Sequence, residues 1–103
     1  MDLATTECIS GKELKYLGLV KGSIVLTRHI GKDFMAGFKS IVGGEVKQFT
    51  GLLQEARNTA TYRMVLEARG LRADAVVAIR YTTAEIMESA AEVMVYGTAV
   101  KYK

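Results

Sequence analysis

From Leu14 to Arg28 the chain alternates. Even positions Leu14, Tyr16, Gly18, Val20, Gly22, Ile24 and Leu26 are mostly apolar, and Lys15, Lys21, Ser23 and Thr27 fall between them. That period of two predicts a half-buried strand. Gly18 and Gly22 sit on its apolar side, where a missing side chain predicts a bulge or a close crossing by another element. The period then lengthens. Phe34, Met35, Phe38, Ile41 and Val42 recur at helical spacing and predict a short helix from Lys32, stopped by Gly43-Gly44. A second, longer helix is predicted from Val46 to Arg69, with Phe49, Leu52, Leu53, Ala56, Ala60, Met64 and Ala68 as its core stripe and Gly70 just past its end.

Two strands close the chain. In the first, Ala73, Ala75, Val77, Ile79 and Tyr81 alternate with Asp74, Val76, Ala78, Arg80 and Thr82. After a polar turn at Glu88-Ser89, the run Val93 to Val100 is apolar on both faces. Helices cover only one face of a small sheet, so the second face of such a strand calls for another subunit. Lys101 and Lys103 read as charges that guard this run against aggregation.

Composition narrows the function classes. The 103 residues form one domain with no internal boundary, linker or repeat, and half of them are hydrophobic. One cysteine and one histidine can build neither an internal disulfide nor a four-ligand zinc site within one chain. No run approaches the ~18 apolar residues of a membrane span, and no signal peptide is apparent at Met1-Asp2-Leu3. A reducing, cytoplasmic setting is expected. The net charge of +3 is too small to argue for nucleic acid, and Arg57, Arg63 and Arg69 step around three sides of their helix. No membrane partner and no cofactor is expected.

Three residues carry candidate ligand chemistry. His29 lies four residues before Asp33, close enough for the carboxylate to orient the imidazole, either as a general base or as a locally hydrogen-bonded helix-start histidine. Cys8 is a lone thiol, either a small hydrophobe or, if symmetry gathers several copies, part of a soft-metal site. Gly31-Lys32-Asp33 lacks the Ser or Thr and the upstream glycine of a P-loop. Met35, Met64, Met87 and Met94 read as packing residues.

The stretches Arg28-His29-Ile30-Gly31-Lys32-Asp33, Ala36-Gly37-Phe38-Lys39, Ile41-Val42-Gly43-Gly44-Glu45, Leu52 to Arg57, Ala73 to Val77 and Gly97-Thr98-Ala99-Val100 resemble the YbjQ-like family of small bacterial and archaeal proteins, which carry a heavy-metal-binding label. The resemblance covers nearly the whole chain. It implies a two-layer β-α-β-β subunit related to the dodecin-like folds, assembled as a ring, and no established reaction. Two positions depart from the pattern. His29 stands where many members have asparagine, and Arg72 where members usually have glycine. A C-capping glycine would take the left-handed conformation cheaply, so either the helix ends earlier at Gly70 or Arg72 is strained.

The combined expectation is an α+β subunit with a mainly antiparallel sheet and two helices on one face, closed into a homo-oligomer, a pentamer or decamer. Its function is expected to be non-enzymatic, with a small ligand or soft metal held at subunit junctions through Cys8, His29 and Asp33. A metal or metalloid carrier using Cys8, and an enzyme using His29, Asp33 and Glu85, are the alternatives.

Overall fold

A computed structural model describes residues 1–27, 47–88 and 90–103. Five elements follow in order: β1 (Asp2–Leu3), β2 (Leu14–Thr27), α1 (Lys47–Gly70), β3 (Ala75–Met87) and β4 (Ala90–Tyr102). They form one four-stranded sheet, ordered β1-β3-β4-β2, with α1 laid across it. β3 and β2 pair antiparallel with β4, whereas β1 runs parallel to β3. The sheet is therefore mixed. The short first strand carries no alternation that a sequence could reveal. The predicted short helix from Lys32 lies outside the described residues, so one helix is seen among those described.

α1 spends its narrow apolar stripe on the sheet. Ala56, Ala60, Met64 and Ala68, four residues apart, are almost wholly buried, while Leu52 and Leu53 are half-buried. Ala60, Met64 and Ala68 meet Val20, Val76, Ile79, Val95 and Ala99. Small residues let helix and sheet approach closely, and Gly22 marks the closest point. A Cβ there would lie far inside van der Waals contact of Ala60 O and Met64 N, and 3.0 Å from the Arg63 carbonyl carbon. The close crossing expected at Gly22 is thus α1 itself.

Two bulges rewrite the expected alternation. In β2, Tyr16 pairs with Val100 and Gly18 with Ala99, so Leu17 is the extra residue and Gly18 takes φ +145°. The phase of the strand flips there: Tyr16 is exposed, whereas Leu17, Val20 and Ile24 face the helix. In β3 the register shifts between Val77 and Arg80, with Ala78 at φ 54°. Ala75 and Val77 consequently face away from α1, and Ile79 joins Val76 against it. The strand also runs on to Met87, five residues beyond its sequence-based end at Thr82.

The second face of β4 needs a correction. At one end it is covered by the chain's own N-terminal segment, not by another subunit. Ile9 and Leu14 pack with Tyr102 on Ala75, Val77 and Val100. This segment also extends the sheet past β1, through Ala4 N–H to Val76 O (3.0 Å), Ile79 N–H to Ala4 O (3.1 Å) and Ala78 N–H to Thr6 O (2.8 Å).

The helix ends in a Schellman arrangement. Ala73 N–H reaches Ala68 O (3.1 Å), Arg72 N–H reaches Arg69 O (2.9 Å), and Arg72 occupies the left-handed position at φ 60°. Both possibilities at this boundary are realised: the helix ends at Gly70, and Arg72 still takes the left-handed position.

Candidate functional site

The expected site residues are not brought together. Cys8 is exposed in the N-terminal segment, and its carbonyl accepts a hydrogen bond from Thr6 Oγ1 (2.7 Å). His29 and Asp33 lie outside the described residues. Glu85 is exposed on the far half of β3. Met64 is buried as expected of a packing residue, but Met87 is exposed at the end of β3.

Two polar constellations were missed from sequence, and both tie the chain ends to the sheet. At the first, the Tyr102 hydroxyl donates a short hydrogen bond to Asp2 Oδ2, and Tyr102 N–H donates to Asp74 Oδ2 (2.8 Å). Lys12 Nζ stands 4.9 Å over the Tyr102 ring. The bond to Asp2, then burial, then the charges of Asp2 and Asp74 push the Tyr102 phenol from its ordinary 10 up to about 12. Only the pairing of the two chain ends assembles this group.

The second lies where the N-terminal segment meets the β3 bulge. Arg80 Nη1 donates to Thr5 Oγ1 (2.7 Å), Thr5 O (2.9 Å) and Ile79 O (2.9 Å). Thr5 Oγ1 itself donates to Ile79 O (3.2 Å). Ala78, with its costly positive φ, is two residues away. Arg80 is cross-strand neighbour to Tyr96, and Tyr96 to Lys21, so these three form a row across the face opposite α1. Tyr96 is 39% exposed.

At the outer edge of β2, a shallow hollow of about 470 Å³ is bordered by Lys21, Ser23, Arg63, Glu67 and Glu92. Arg63 Nη1 donates to Ser23 O (2.7 Å) across this edge. Residues of an antiparallel strand point both backbone groups to one side in alternation, so Ser23 O marks the outward-facing set. Arg63 thus occupies one outward-facing carbonyl of a strand that has no neighbour on this side among the described residues.

A family described as "Putative heavy-metal-binding" matches residues 1–103. The chain belongs to this family. Its relatives include a UPF0145 protein of Clostridium novyi (strain NT), 55% identical over 101 residues and covering 98% of both chains. A UPF0145 protein of Alkaliphilus metalliredigens is 52% identical over 99% of both. A UPF0145 protein of Methanosarcina acetivorans is 49% identical over 98% of this chain and 96% of the relative. Among solved structures, a DUF74-family protein of unknown function from Pediococcus pentosaceus superposes with a TM-score of 0.71, covering 100% of this chain and 98% of that one. At 15% identity, that likeness shows the fold alone.

The family's heavy-metal description can be tested on the donors present. Among the described residues no group of three or more His, Cys, Asp or Glu could hold a metal ion. The whole sequence has one thiol and one imidazole, and the carboxylates near Tyr102 are hard donors already engaged. A soft-metal site does not fit within one chain. No helix among the described residues is long and apolar enough to cross a membrane.

Proposed function

We propose that the chain works in the cytoplasm as a closed homo-oligomer, a pentamer or decamer, that binds a small ligand where copies meet and catalyses no reaction. The observation that carries this reading is the exposed far half of β3. β3 is exposed at every residue from Arg80 to Met87, including Tyr81 (50%), Ile86 (56%) and Met87 (61%). The fold measures 53 × 23 × 17 Å with a radius of gyration of 16.6 Å, against about 13 Å for a compact chain of this length. Among the described residues both sheet edges are available: no described strand lies beyond β2, and the N-terminal segment covers β3 only as far as Ile79. Joining the β2 edge of one copy to the β3 edge of the next is a head-to-tail contact, which closes into a ring and removes both edges.

Light scattering after size exclusion tests this. A species about five times, or ten times, the 11.3 kDa of one chain is expected. A monomer that persists as protein concentration is raised would overturn the proposal.

The exposure of Cys8 favours one second reading, a soft-metal carrier in which symmetry gathers this thiol from several copies. Titration with cadmium should then lose its heat in Cys8→Ser; identical heats in both proteins would dismiss the carrier.

A further inference from the structure

The row Arg80–Tyr96–Lys21 lies on the sheet face opposite α1, where the cover provided by the N-terminal segment ends. Its chemistry is asymmetric. Arg80 is anchored through Nη1 alone, by three oxygens within 2.9 Å, and takes no carboxylate partner among the described residues. Anchoring Nη1 leaves Nε–H and Nη2–H, the side-on pair of the guanidinium that matches two oxygens of a phosphate or carboxylate. Arginine loses entropy when it is fixed on binding; here part of that cost is met in folding, by Thr5 and by the bulge that places Ala78 at φ 54°.

The surroundings select the sign and shape of the ligand. The rows on either side are Val77–Thr98–Leu19 and Thr82–Met94–Ser23, which contain hydroxyl and apolar side chains and no acid. Glu92 comes one row later; Lys21, whose backbone lies two strand spacings (about 10 Å) from that of Arg80, adds a second positive charge and borders the β2-edge hollow together with Arg63, Glu67 and Glu92. The exposed Tyr96 ring lies between the two cations. A fixed guanidinium fork beside an open aromatic side chain suits an anion carrying a flat ring.

We propose that this row is a binding site for a small organic phosphate with a planar ring, of the mononucleotide class. Arg80 takes the phosphate oxygens, Tyr96 stacks the ring, and Lys21 contributes positive potential without needing contact. The site is complete within one chain and does not rest on the proposed assembly; size exclusion of the same samples reports assembly separately.

Calorimetry on the full chain with adenosine monophosphate tests the proposal, with adenosine, inorganic phosphate and a short oligoadenylate as separate arms. Adenosine monophosphate should bind at least tenfold more tightly than adenosine or phosphate alone. Arg80→Gln should weaken it at least tenfold, Arg80→Lys should not restore it, and Tyr96→Ala, which leaves the Thr5 anchor intact, should weaken it about fivefold. No measurable binding, equal binding of inorganic phosphate, or indifference to Tyr96→Ala would overturn the site. Affinity that climbs with oligoadenylate length would replace it with a nucleic-acid surface.

Discussion

Replacing Gly22 by alanine probes the helix–sheet contact with one carbon atom. The new Cβ would collide with Ala60 O and Met64 N, both backbone atoms of α1, so no side-chain rotation relieves it. Carbon contacts are comfortable near 3.5–4.0 Å, so α1 must retreat by about 1 Å. A gap of that size forfeits a quarter to a half of the dispersion energy across it, and a buried side chain makes roughly 50 contacts worth about 0.15 kcal/mol each. Met64 and Val20 are both fully buried at this contact, with Ala60 and Ala68 beside them. If half of each large side chain's contacts cross the interface, the summed loss is about 3 kcal/mol, at the upper end for overpacking. With a urea slope of ~1.2 kcal/mol/M, the midpoint should fall by roughly 2.5 M at fixed protein concentration, followed by circular dichroism. Gly51→Ala is the control: it lies in α1 with open space around its Cβ, and should gain about 0.5–1 kcal/mol. A loss below about 1 kcal/mol in Gly22→Ala would show that helix and sheet are not held this close.

Other substitutions address single features. Arg72→Gly removes a left-handed arginine; after allowing for the greater freedom of glycine when unfolded, a gain of about 0.5–1 kcal/mol is expected in urea melts, and a loss would count against strain there. The phenol of Tyr102 is raised in the folded chain, so its stabilisation is complete below pH 10 and disappears as pH climbs through about 12. Tyrosinate absorbance should show one late-titrating group that moves back toward 10 in Asp2→Asn; an unchanged titration would refute the link. Arg63→Met removes the guanidinium from Ser23 O and should lower stability by about 1 kcal/mol in the same melts, with no change meaning that this edge bond is idle in solution.

Elements with strong periodicity were readable from sequence. β2 was expected over Leu14 to Arg28 and runs over Leu14–Thr27; the long helix was expected over Val46 to Arg69 and runs over Lys47–Gly70. Gly18 and Gly22 each suggest a bulge or a close crossing, because an absent side chain inside an apolar strand points to one of those uses; the structure places the bulge at Gly18 and the crossing at Gly22. Facing was harder. Strict alternation put Val77 and Ile79 on one side, and the extra residue at Ala78 put them on opposite sides. A bulge leaves almost no mark when the residue in the left-handed position is an alanine. β1 was invisible because two residues have no period. The candidate site is scarcely readable: Cys8, His29 and Asp33 stand out in the sequence by scarcity or chemistry, whereas the Arg80 anchor depends on Thr5, which lies 75 positions away.

The pairing pattern has a consequence for how the chain comes to be folded. β2 finds its hydrogen-bonded partner in β4, and Leu14 is matched to Tyr102, 88 positions later (102 − 14). A nascent chain that emerges N-terminus first therefore holds a largely apolar strand without this partner until β4 has been made. Such distant contacts place the protein among slow folders, and its hazardous interval is the time between translation of β2 and translation of β4.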